Sequence, residues 1–174
     1  MSRITLPNSG DHSDYGRELA GIMRELHAMS LRLNRLDPLT TELVRMRCAE
    51  WHNCRRCKDA IWEGAADHDR DSLVAVVQDY EASDLDERRK LALRLADAFM
   101  TRPHEIGVDL RRDLHETFSV EELVEIVLDI VAWTQHKPAI ALDLDEVPTS
   151  LSRIFRIDED GDIVRQAATL STGE

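Results

Sequence analysis

Two cysteines three positions apart carry the clearest chemistry in this sequence. Cys54 and Cys57 enclose two arginines in a C-x-x-C motif. Positions i and i+3 of a helix share a face, so the two sulfurs can close a disulfide without rearranging the fold. The start of a helix and the neighbouring guanidinium groups both favour a thiolate over a thiol. The motif therefore predicts reversible thiol–disulfide chemistry, although a C-x-x-C also occurs as half of a zinc site.

A third cysteine and a histidine precede the motif and leave alternatives open. Cys48 and His52, with Cys54 and Cys57, make a set of four residue types that bind zinc. Nothing in their spacing makes the four converge, so we predict no metal and no other cofactor. Cys48 is typical of a buried small apolar residue. His52 is typical of a helix-end residue beside the C-terminal dipole, with the alternative that it reaches a thiol across the turn.

The composition excludes several classes of protein. The 174 residues are close to the size of one domain, and 43% of them are hydrophobic, which is enough for a core. The net charge of -12 repels phosphate backbones and anionic membrane surfaces, so we expect neither nucleic acid nor a membrane as a partner. No apolar run is long enough to span a membrane, and the first residues do not resemble a signal peptide. We therefore expect a cytoplasmic protein.

The elements that must position the cysteines are helices, because apolar residues recur at intervals of three and four almost throughout. This periodicity predicts an all-α fold. Asn53 is predicted to cap the helix that contains the cysteines, and Gly64 to end it. The predicted helices span residues 14–36, 41–51, 54–64, a short stretch capped by Asp69 or Asp71, a stretch opened by residues 83–87 that stops before Pro103, and residues 108–118. In the helix at 41–51, the predicted apolar face holds Val44, Cys48 and Trp51, and the polar positions include Glu42, Arg45 and Glu50.

A capping box marks the last long helix. Ser119-x-x-Glu122 directly precedes an apolar stretch at residues 123–133. Because this stretch is apolar nearly all round, we predict that the helix is central or packed between subunits. Pro138 is predicted to kink or end it near Gln135.

A longer stretch around the cysteines, TTELVRMRCAEWHNCRRCKDAIWEGA, places Glu42 twelve positions before Cys54. Further along are an x-P-H-E loop at residues 102–105 and a helix start with the pattern F-S-x-E-E-L-V-E. Over about residues 37 to 145, these segments resemble the AhpD-like, or carboxymuconolactone decarboxylase, family. We accordingly predict a helical extension at residues 1–36, an AhpD-like domain at 37–147 and a tail at 148–174. Within the tail, residues 154–157 and 163–164 flank Asp160-Gly161 and indicate a small hairpin.

The resemblance implies a fold, an assembly and an activity. Its members are helical proteins that assemble into trimers or hexamers, and a dimer is a further option here. The implied activity is thiol-dependent reduction of alkyl hydroperoxides or of disulfides, with a protein or small-molecule thiol as the reductant. By the same resemblance Cys57 is the peroxidatic thiol, Cys54 resolves its sulfenic acid, and Glu42 is a buried carboxylate that accepts or relays a proton.

One departure from the family concerns its relay histidines. In the peroxidase members a histidine stands four residues after the second cysteine, one helical turn on, where this sequence has Ile61. Arg56 replaces a second histidine, and it can lower a thiol pKa but cannot act as a base near neutral pH. His52 is a candidate replacement. His136 is predicted either to face a pocket or to be a polar residue at the Pro138 kink.

Three functions compete at this point. The first is a redox enzyme that uses the Cys54/Cys57 pair with Glu42 as proton acceptor, and the cysteines favour it. The second is a non-redox member of the fold that binds or transforms a lactone or a small organic acid, as a decarboxylase does. The third is an oligomeric scaffold in which the cysteine pair only joins two helices, which predicts a disulfide that cellular reductants do not open.

Overall fold

Helices dominate the computed structural model of the protein, as predicted. The structure describes residues 17–147, 151–158 and 162–167. In these ranges the helices are α1 (Arg17–Arg32), α2 (Pro38–Trp51), α3 (Arg55–Asp59), α4 (Arg70–Gln78), α5 (Glu87–Thr101), α6 (Val108–Thr117), α7 (Val120–Thr134) and α8 (Lys137–Ala141). The strands are β1 (Ile61–Trp62), β2 (Leu151–Ile157) and β3 (Ile163–Ala167). No helix of the described ranges is long and apolar enough to cross a bilayer.

Helix α2 occupies the centre of the molecule, where it packs against α3, α4, α5 and α7. It begins at Pro38, three residues earlier than predicted, because the Asp37 side chain accepts a hydrogen bond from the amide of Thr40 and caps the helix. Nearly every residue from Thr40 to Ala49 is buried. The predicted apolar face is confirmed at Val44 and Cys48, which are buried, but three other residues depart from the predicted pattern. Trp51 is 48% exposed, whereas Glu42 and Arg45 are buried.

Helix α7 begins and ends where the sequence predicted. The Ser119 hydroxyl accepts from the amide of Glu122, and the Glu122 carboxylate accepts from the amide of Ser119, which completes the capping box. The helix ends at Thr134 with Gln135 as its C-cap, and Pro138 lies in the first turn of α8, where a proline needs no amide partner.

The buried face of α7 is more polar than its sequence suggests. Glu125 and Asp129 are buried because α1 and the chain after it cover them, while several valines of the same helix face outward. The exposed valines of α7 are Val120, Val124 and Val131. The central position that we predicted for α7 belongs to α2, and the predicted association of subunits stays a prediction.

The short helix that carries the cysteines differs from its prediction. Cys54, not Asn53, is the N-cap of α3, and Asn53 makes the link from α2 with a positive φ of 53°. The helix ends at Asp59, well before Gly64, because the chain turns extended at Ala60 and then forms β1. Gly64 lies instead in a 3₁₀ turn, where the Trp62 ring leaves no room for a Cβ.

The predicted C-terminal hairpin is confirmed in its strands and completes the fold beside α3. Strands β2 and β3 pair in antiparallel register, with Ile157 opposite Ile163, and the predicted turn at Asp160-Gly161 lies outside the described residues. Strand β1 joins β2 in parallel register and sets Trp62 beside Phe155. Phe155 is buried in the main core, so the hairpin covers the region that α3 leaves open.

At the other end of the chain, α1 ends at Arg32 rather than at residue 36. Its predicted start at Asp14 lies outside the described residues. The helix packs against α7, and its buried residues include His27 and Ser30.

Candidate active site

Cys54 and Cys57 form a disulfide at the start of α3, with their Cα atoms 5.3 Å apart. Cys54 is the buried partner at 3% exposure, whereas Cys57 is partly exposed. As the N-cap of α3, the Cys54 sulfur accepts a hydrogen bond of 3.3 Å from the amide of Cys57. The two sulfurs therefore face different surroundings, and only one of them has access to solvent.

Arg55 anchors the first turn of α3 to the chain that follows α8. Its guanidinium donates to the carboxylates of Asp143 and Asp145 at 2.6 Å each, and its amide donates to Asp145 at 2.8 Å. Burial raises the pKa of Asp145, but the hydrogen bonds from Arg55 outweigh it and hold that pKa below its usual range. Asp145 is thus a charged, buried clamp that fixes the backbone of the cysteine loop.

A cavity of about 280 Å³ opens beside Cys57. Its walls combine aromatic and aliphatic side chains with three arginines, and Cys57 also lines it. The other lining residues are Arg45, Arg56, Ala60, Trp133, His136, Phe155, Ile163 and Arg165. Cys54 lies instead along a narrower crevice, which Cys57 also lines together with Cys48 and His52. The disulfide thus lies between the cavity and the narrower crevice.

Glu42 and Arg45 form a fully buried ion pair next to the cysteine loop. Nε and Nη2 of Arg45 donate to the two carboxylate oxygens of Glu42, each at 2.7 Å. Glu42 is 0% and Arg45 is 1% exposed. The burial that the family resemblance implied for Glu42 is confirmed. Its carboxylate does not line the cavity, however, and both of its oxygens are already engaged by Arg45.

Arg45 connects this pair to the cysteines. Nη1 donates to the carbonyl of Cys57 at 2.9 Å, and Nη2 donates to the carbonyl of Ala60 at 2.6 Å. The guanidinium carbon lies 5.5 Å from the ring centre of Trp133 and 5.3 Å from that of Phe155, within cation–π range of both. The helical periodicity predicted Arg45 only as one of the polar positions of its helix. The signal that could have found it is a Glu and an Arg at i, i+3, the spacing of a helical ion pair.

His52 ends α2 and reaches the crevice beside the cysteines. Its Nε2 atom is buried and makes no hydrogen bond within the described residues. Burial, and secondarily the charge of Lys137, lower the pKa of His52 below its usual value. His52 is therefore a neutral imidazole at neutral pH, with a ring nitrogen free in a crevice that also contains both motif sulfurs.

Cys48 is a core residue. Burial, and secondarily the charge of Asp129, raise its pKa to about 12, so the thiol stays protonated at neutral pH. The structural interpretation of this cysteine is confirmed. Within the described residues, no three His, Cys, Asp or Glu side chains are grouped so that they could hold a metal ion.

Two of the three candidate supporting residues lie at the cavity, and a further cavity residue was missed. Arg56 and His136 both line the cavity, and Nε of Arg56 donates to the carbonyl of Glu146 at 3.1 Å. Arg165, which comes from β3, was not predicted. It donates to the carbonyl of Arg56 at 3.1 Å and to the carboxylate of Asp59 at 3.4 Å. No local spacing could have indicated this contact, because 109 positions separate Arg165 from Arg56.

The position of the missing relay histidine is part of the sheet. Ile61 is 5% exposed and pairs with Ile154 in β1 and β2. We expected this position one helical turn beyond Cys57, but α3 ends before it. A side chain at position 61 therefore belongs to the core beneath the hairpin.

Comparison with known proteins places these features in context. No protein-family profile matches the chain. Two curated proteins from two strains of Mycobacterium tuberculosis, both uncharacterized, are 36% identical to it over 166 residues, covering 92% of this chain and 57% of theirs. The chain thus spans little more than half the length of these relatives.

Two solved structures have a similar architecture. An uncharacterized peroxidase-related protein from Silicibacter matches with a TM-score of 0.62 and 17% identity, covering 74% of this chain and 70% of that one. A protein of unknown function from Agrobacterium tumefaciens, suggested to be the antioxidant defence protein AhpD, matches with a TM-score of 0.65 and 19% identity, covering 86% of this chain and 99% of that one. At these identities the likeness establishes the fold, and the chain has the helical fold of AhpD-like, peroxidase-related proteins.

Proposed function

We propose that this protein is a thiol-dependent hydroperoxide or disulfide reductase that works through the Cys54–Cys57 pair. The observation that carries the proposal is the asymmetry of the pair. Cys57 opens onto a cavity of about 280 Å³, while Cys54 is buried along the crevice behind it. A substrate in the cavity meets Cys57 first, and Cys54 is held within disulfide distance to complete the reaction. The fold of the peroxidase-related neighbours supports this assignment.

The reaction has three steps: attack of Cys57 on the substrate, formation of the disulfide with Cys54, and reduction of that disulfide by an external thiol. The Cys57 thiolate attacks the outer oxygen of a hydroperoxide, the O–O bond breaks, and the alcohol leaves with a proton while Cys57 becomes a sulfenic acid. Cys54 then attacks that sulfur, the disulfide forms, and water leaves with the proton from Cys54. An external dithiol, or two monothiols, returns two electrons and two protons and reopens the disulfide. With a disulfide substrate, the first attack gives a mixed disulfide instead.

His52 is the base that we assign to Cys54. It lies along the same crevice, its Nε2 is buried without a hydrogen-bond partner among the described residues, and its lowered pKa keeps it able to accept a proton. It would take over the proton transfer that the family assigns to histidines at positions held here by Arg56 and Ile61.

Glu42 acts on the cysteine loop indirectly, through Arg45. Since both oxygens of Glu42 accept from Arg45, and Arg45 in turn holds the carbonyl of Cys57, the carboxylate positions the cysteine loop. A role for Glu42 as the proton acceptor stays a prediction, and it would require that one oxygen be released from Arg45 during the reaction.

The test is a thiol titration of the reduced protein before and after one equivalent of cumene hydroperoxide, with mass mapping of the product. We expect rapid loss of two thiols and a disulfide between Cys54 and Cys57. Cys57→Ser should abolish the reaction, and Cys54→Ser should leave a sulfenic acid on Cys57 that a dimedone probe traps. Cys48→Ala is the matched control and should react like the parent. His52→Gln should slow disulfide formation but leave sulfenic acid formation at Cys57 unaffected.

The opposite results would favour the non-redox alternative. If the thiols stay reduced, or if Cys57→Ser retains full turnover of peroxide, the redox assignment is wrong. Binding of a lactone or organic acid that is unaffected by alkylation of Cys57 would then point to a small-molecule binding or decarboxylase-like protein of the same fold.

A further inference from the structure

The cavity beside Cys57 is positively charged in a protein that is otherwise acidic. Its three charged lining residues, Arg45, Arg56 and Arg165, are all cations, and within the described residues no carboxylate lines it. The chain as a whole carries a net charge of -12. A concentration of guanidinium groups at one cavity, against the sign of the whole molecule, calls for a specific explanation.

Two of these arginines are not fully neutralised. Arg45 is paired with Glu42, whereas the Arg56 guanidinium donates to a backbone carbonyl, that of Glu146, and has no ion-pair partner among the described residues. Arg165 has Asp59 at 3.4 Å, and Asp59 also has Arg153 at 3.5 Å. Among the described residues, the three lining arginines therefore have two carboxylate partners, Glu42 and Asp59, which leaves an excess of one positive charge in the lining. Arg153, which shares Asp59, is not a lining residue.

The environment of Arg165 shows the same excess of positive charge. Its side chain is only 9% exposed. Burial is the main cause that lowers its pKa, and the charges of Arg45 and Arg56 lower it further, although Asp59 acts in the opposite direction. A buried guanidinium that lies among other guanidiniums is stabilised by any anion that enters beside it.

The cavity is also lined by apolar side chains. They are Trp133, Phe155, Ala60 and Ile163. The guanidinium of Arg45 lies within cation–π range of the Trp133 and Phe155 rings, so apolar surface and positive charge lie side by side in this cavity.

We propose that this cavity selects amphipathic anions: small hydroperoxides that carry a carboxylate, with the carboxylate on Arg56 and Arg165 and the hydrocarbon part on Trp133 and Phe155. The proposal rests on the function proposed above and names its substrate class. The volume of about 280 Å³ lies near the lower limit of ~300–1,000 Å³ for small-molecule pockets, so it suits an aryl or short acyl compound.

The test compares two hydroperoxides of similar size, one anionic and one neutral. The probes are cumene hydroperoxide with a para carboxylate and the methyl ester of the same compound. We expect the second-order rate constant for sulfenic acid formation at Cys57 to be roughly tenfold higher for the acid, since a charge-assisted hydrogen bond in a desolvated site is worth at least that ratio. Added salt should reduce the ratio, although less than for a fully exposed pair.

Two variants and one control test whether the cavity arginines cause the preference for the acid over the ester. Arg56→Gln and Arg165→Gln should each bring the acid-to-ester ratio towards one. Arg112→Gln is the matched control, because Arg112 is an exposed arginine of α6 that does not line the cavity, and it should keep the parent ratio. Equal rates for acid and ester in the parent protein, or a ratio unchanged in both cavity variants, would overturn the proposal.

A binding measurement keeps this test separate from the redox chemistry. Titration calorimetry with 4-isopropylbenzoate, against its neutral amide, needs no reaction at Cys57. Preference for the benzoate, lost in Arg56→Gln, supports the anion site even if no hydroperoxide reacts, in which case only the redox assignment fails. Binding of neither compound, or of both equally, contradicts the anion site whether or not Cys57 reacts.

Discussion

Two regions of this molecule bury carboxylates, and they do so in opposite ways. Beside the cysteine loop, Glu42 is paired with Arg45 through two hydrogen bonds of 2.7 Å. Between α1 and α7, Asp129 accepts a hydrogen bond from the Ser30 hydroxyl, and Glu125 accepts from backbone amides of residues 35 and 36. Among the described residues, neither Glu125 nor Asp129 has a cationic partner in an ion pair.

The lack of a cationic partner affects the protonation of Asp129. Burial raises the pKa of Asp129 to about 8, and although Ser30 lowers it, the charge of Glu125 raises it further. Asp129 therefore binds a proton at neutral pH, whereas the guanidinium of Arg45 supplies the positive charge that Glu42 needs in its ionised form. One region is a fixed ion pair that positions a reactive loop, and the other is a pH-sensitive contact between two helices.

The largest expected effect follows from breaking the ion pair. Arg45→Met keeps much of the side-chain volume but leaves Glu42 as a buried charge without its partner. We expect the free energy of unfolding to fall by about 3–5 kcal/mol, the usual cost of removing one member of a buried pair. Urea unfolding of the oxidised protein at pH 7 measures it.

Two further variants check the cause of this loss. The double variant Glu42→Leu with Arg45→Met removes both charges and should recover most of the lost stability. Arg112→Met removes an exposed arginine and should change stability by less than about 0.5 kcal/mol. If Arg45→Met costs no more than Arg112→Met, the buried pair contributes nothing to the fold.

The second prediction concerns the pH dependence that Asp129 imposes. Because its pKa is raised from 3.8 to about 8, the folded protein binds one more proton than the unfolded chain between these values. Its contribution to stability is complete below about pH 4 and is lost as the pH rises through about 8, with a slope of at most about 1.4 kcal/mol per pH unit.

Asp129→Asn should remove this slope, because the amide keeps the shape of the protonated acid but cannot ionise. The measurement is the urea midpoint of parent and variant at several pH values from 5 to 8. Asp109→Asn, at a carboxylate with 78% of its side chain exposed, is the matched control and should follow the parent curve. A parent and an Asp129→Asn variant with parallel curves would contradict the raised pKa.

How far the sequence predicted these regions follows from the range of the interactions. The N-terminal caps of α4 and α7 were predictable, because Asp69, Ser119 and Glu122 act within three positions of their partners. The C-x-x-C pair was predictable for the same reason. The end of α3 was not, since it depends on the pairing of Ile61 with Ile154 across more than ninety residues.

The same reasoning explains the errors at the site. Helical periodicity sorts residues by polarity, and it therefore placed Arg45 among the polar positions of α2 and predicted a helix that is apolar nearly all round at residues 123–133. A buried charge is tolerated only because a partner from elsewhere compensates it, such as the carbonyls of Cys57 and Ala60 for Arg45. Periodicity contains no information on such partners.

The smallest effect in this comparison concerns Ser30, which donates to the carboxylate of Asp129 from α1. Ser30→Ala removes the hydrogen bond that lowers the pKa of Asp129, so that pKa should rise further and the proton should be held to higher pH. We expect a stability loss of about 1 kcal/mol, the usual value of one hydrogen bond. Carboxyl-carbon NMR of Asp129 across the pH range measures the shift.

The Asp129→Asn background provides the control for Ser30→Ala. In that background, Ser30→Ala should no longer alter the pH dependence of stability. If its pH effect persists there, Ser30 acts on another group, with Glu125 as the nearest candidate.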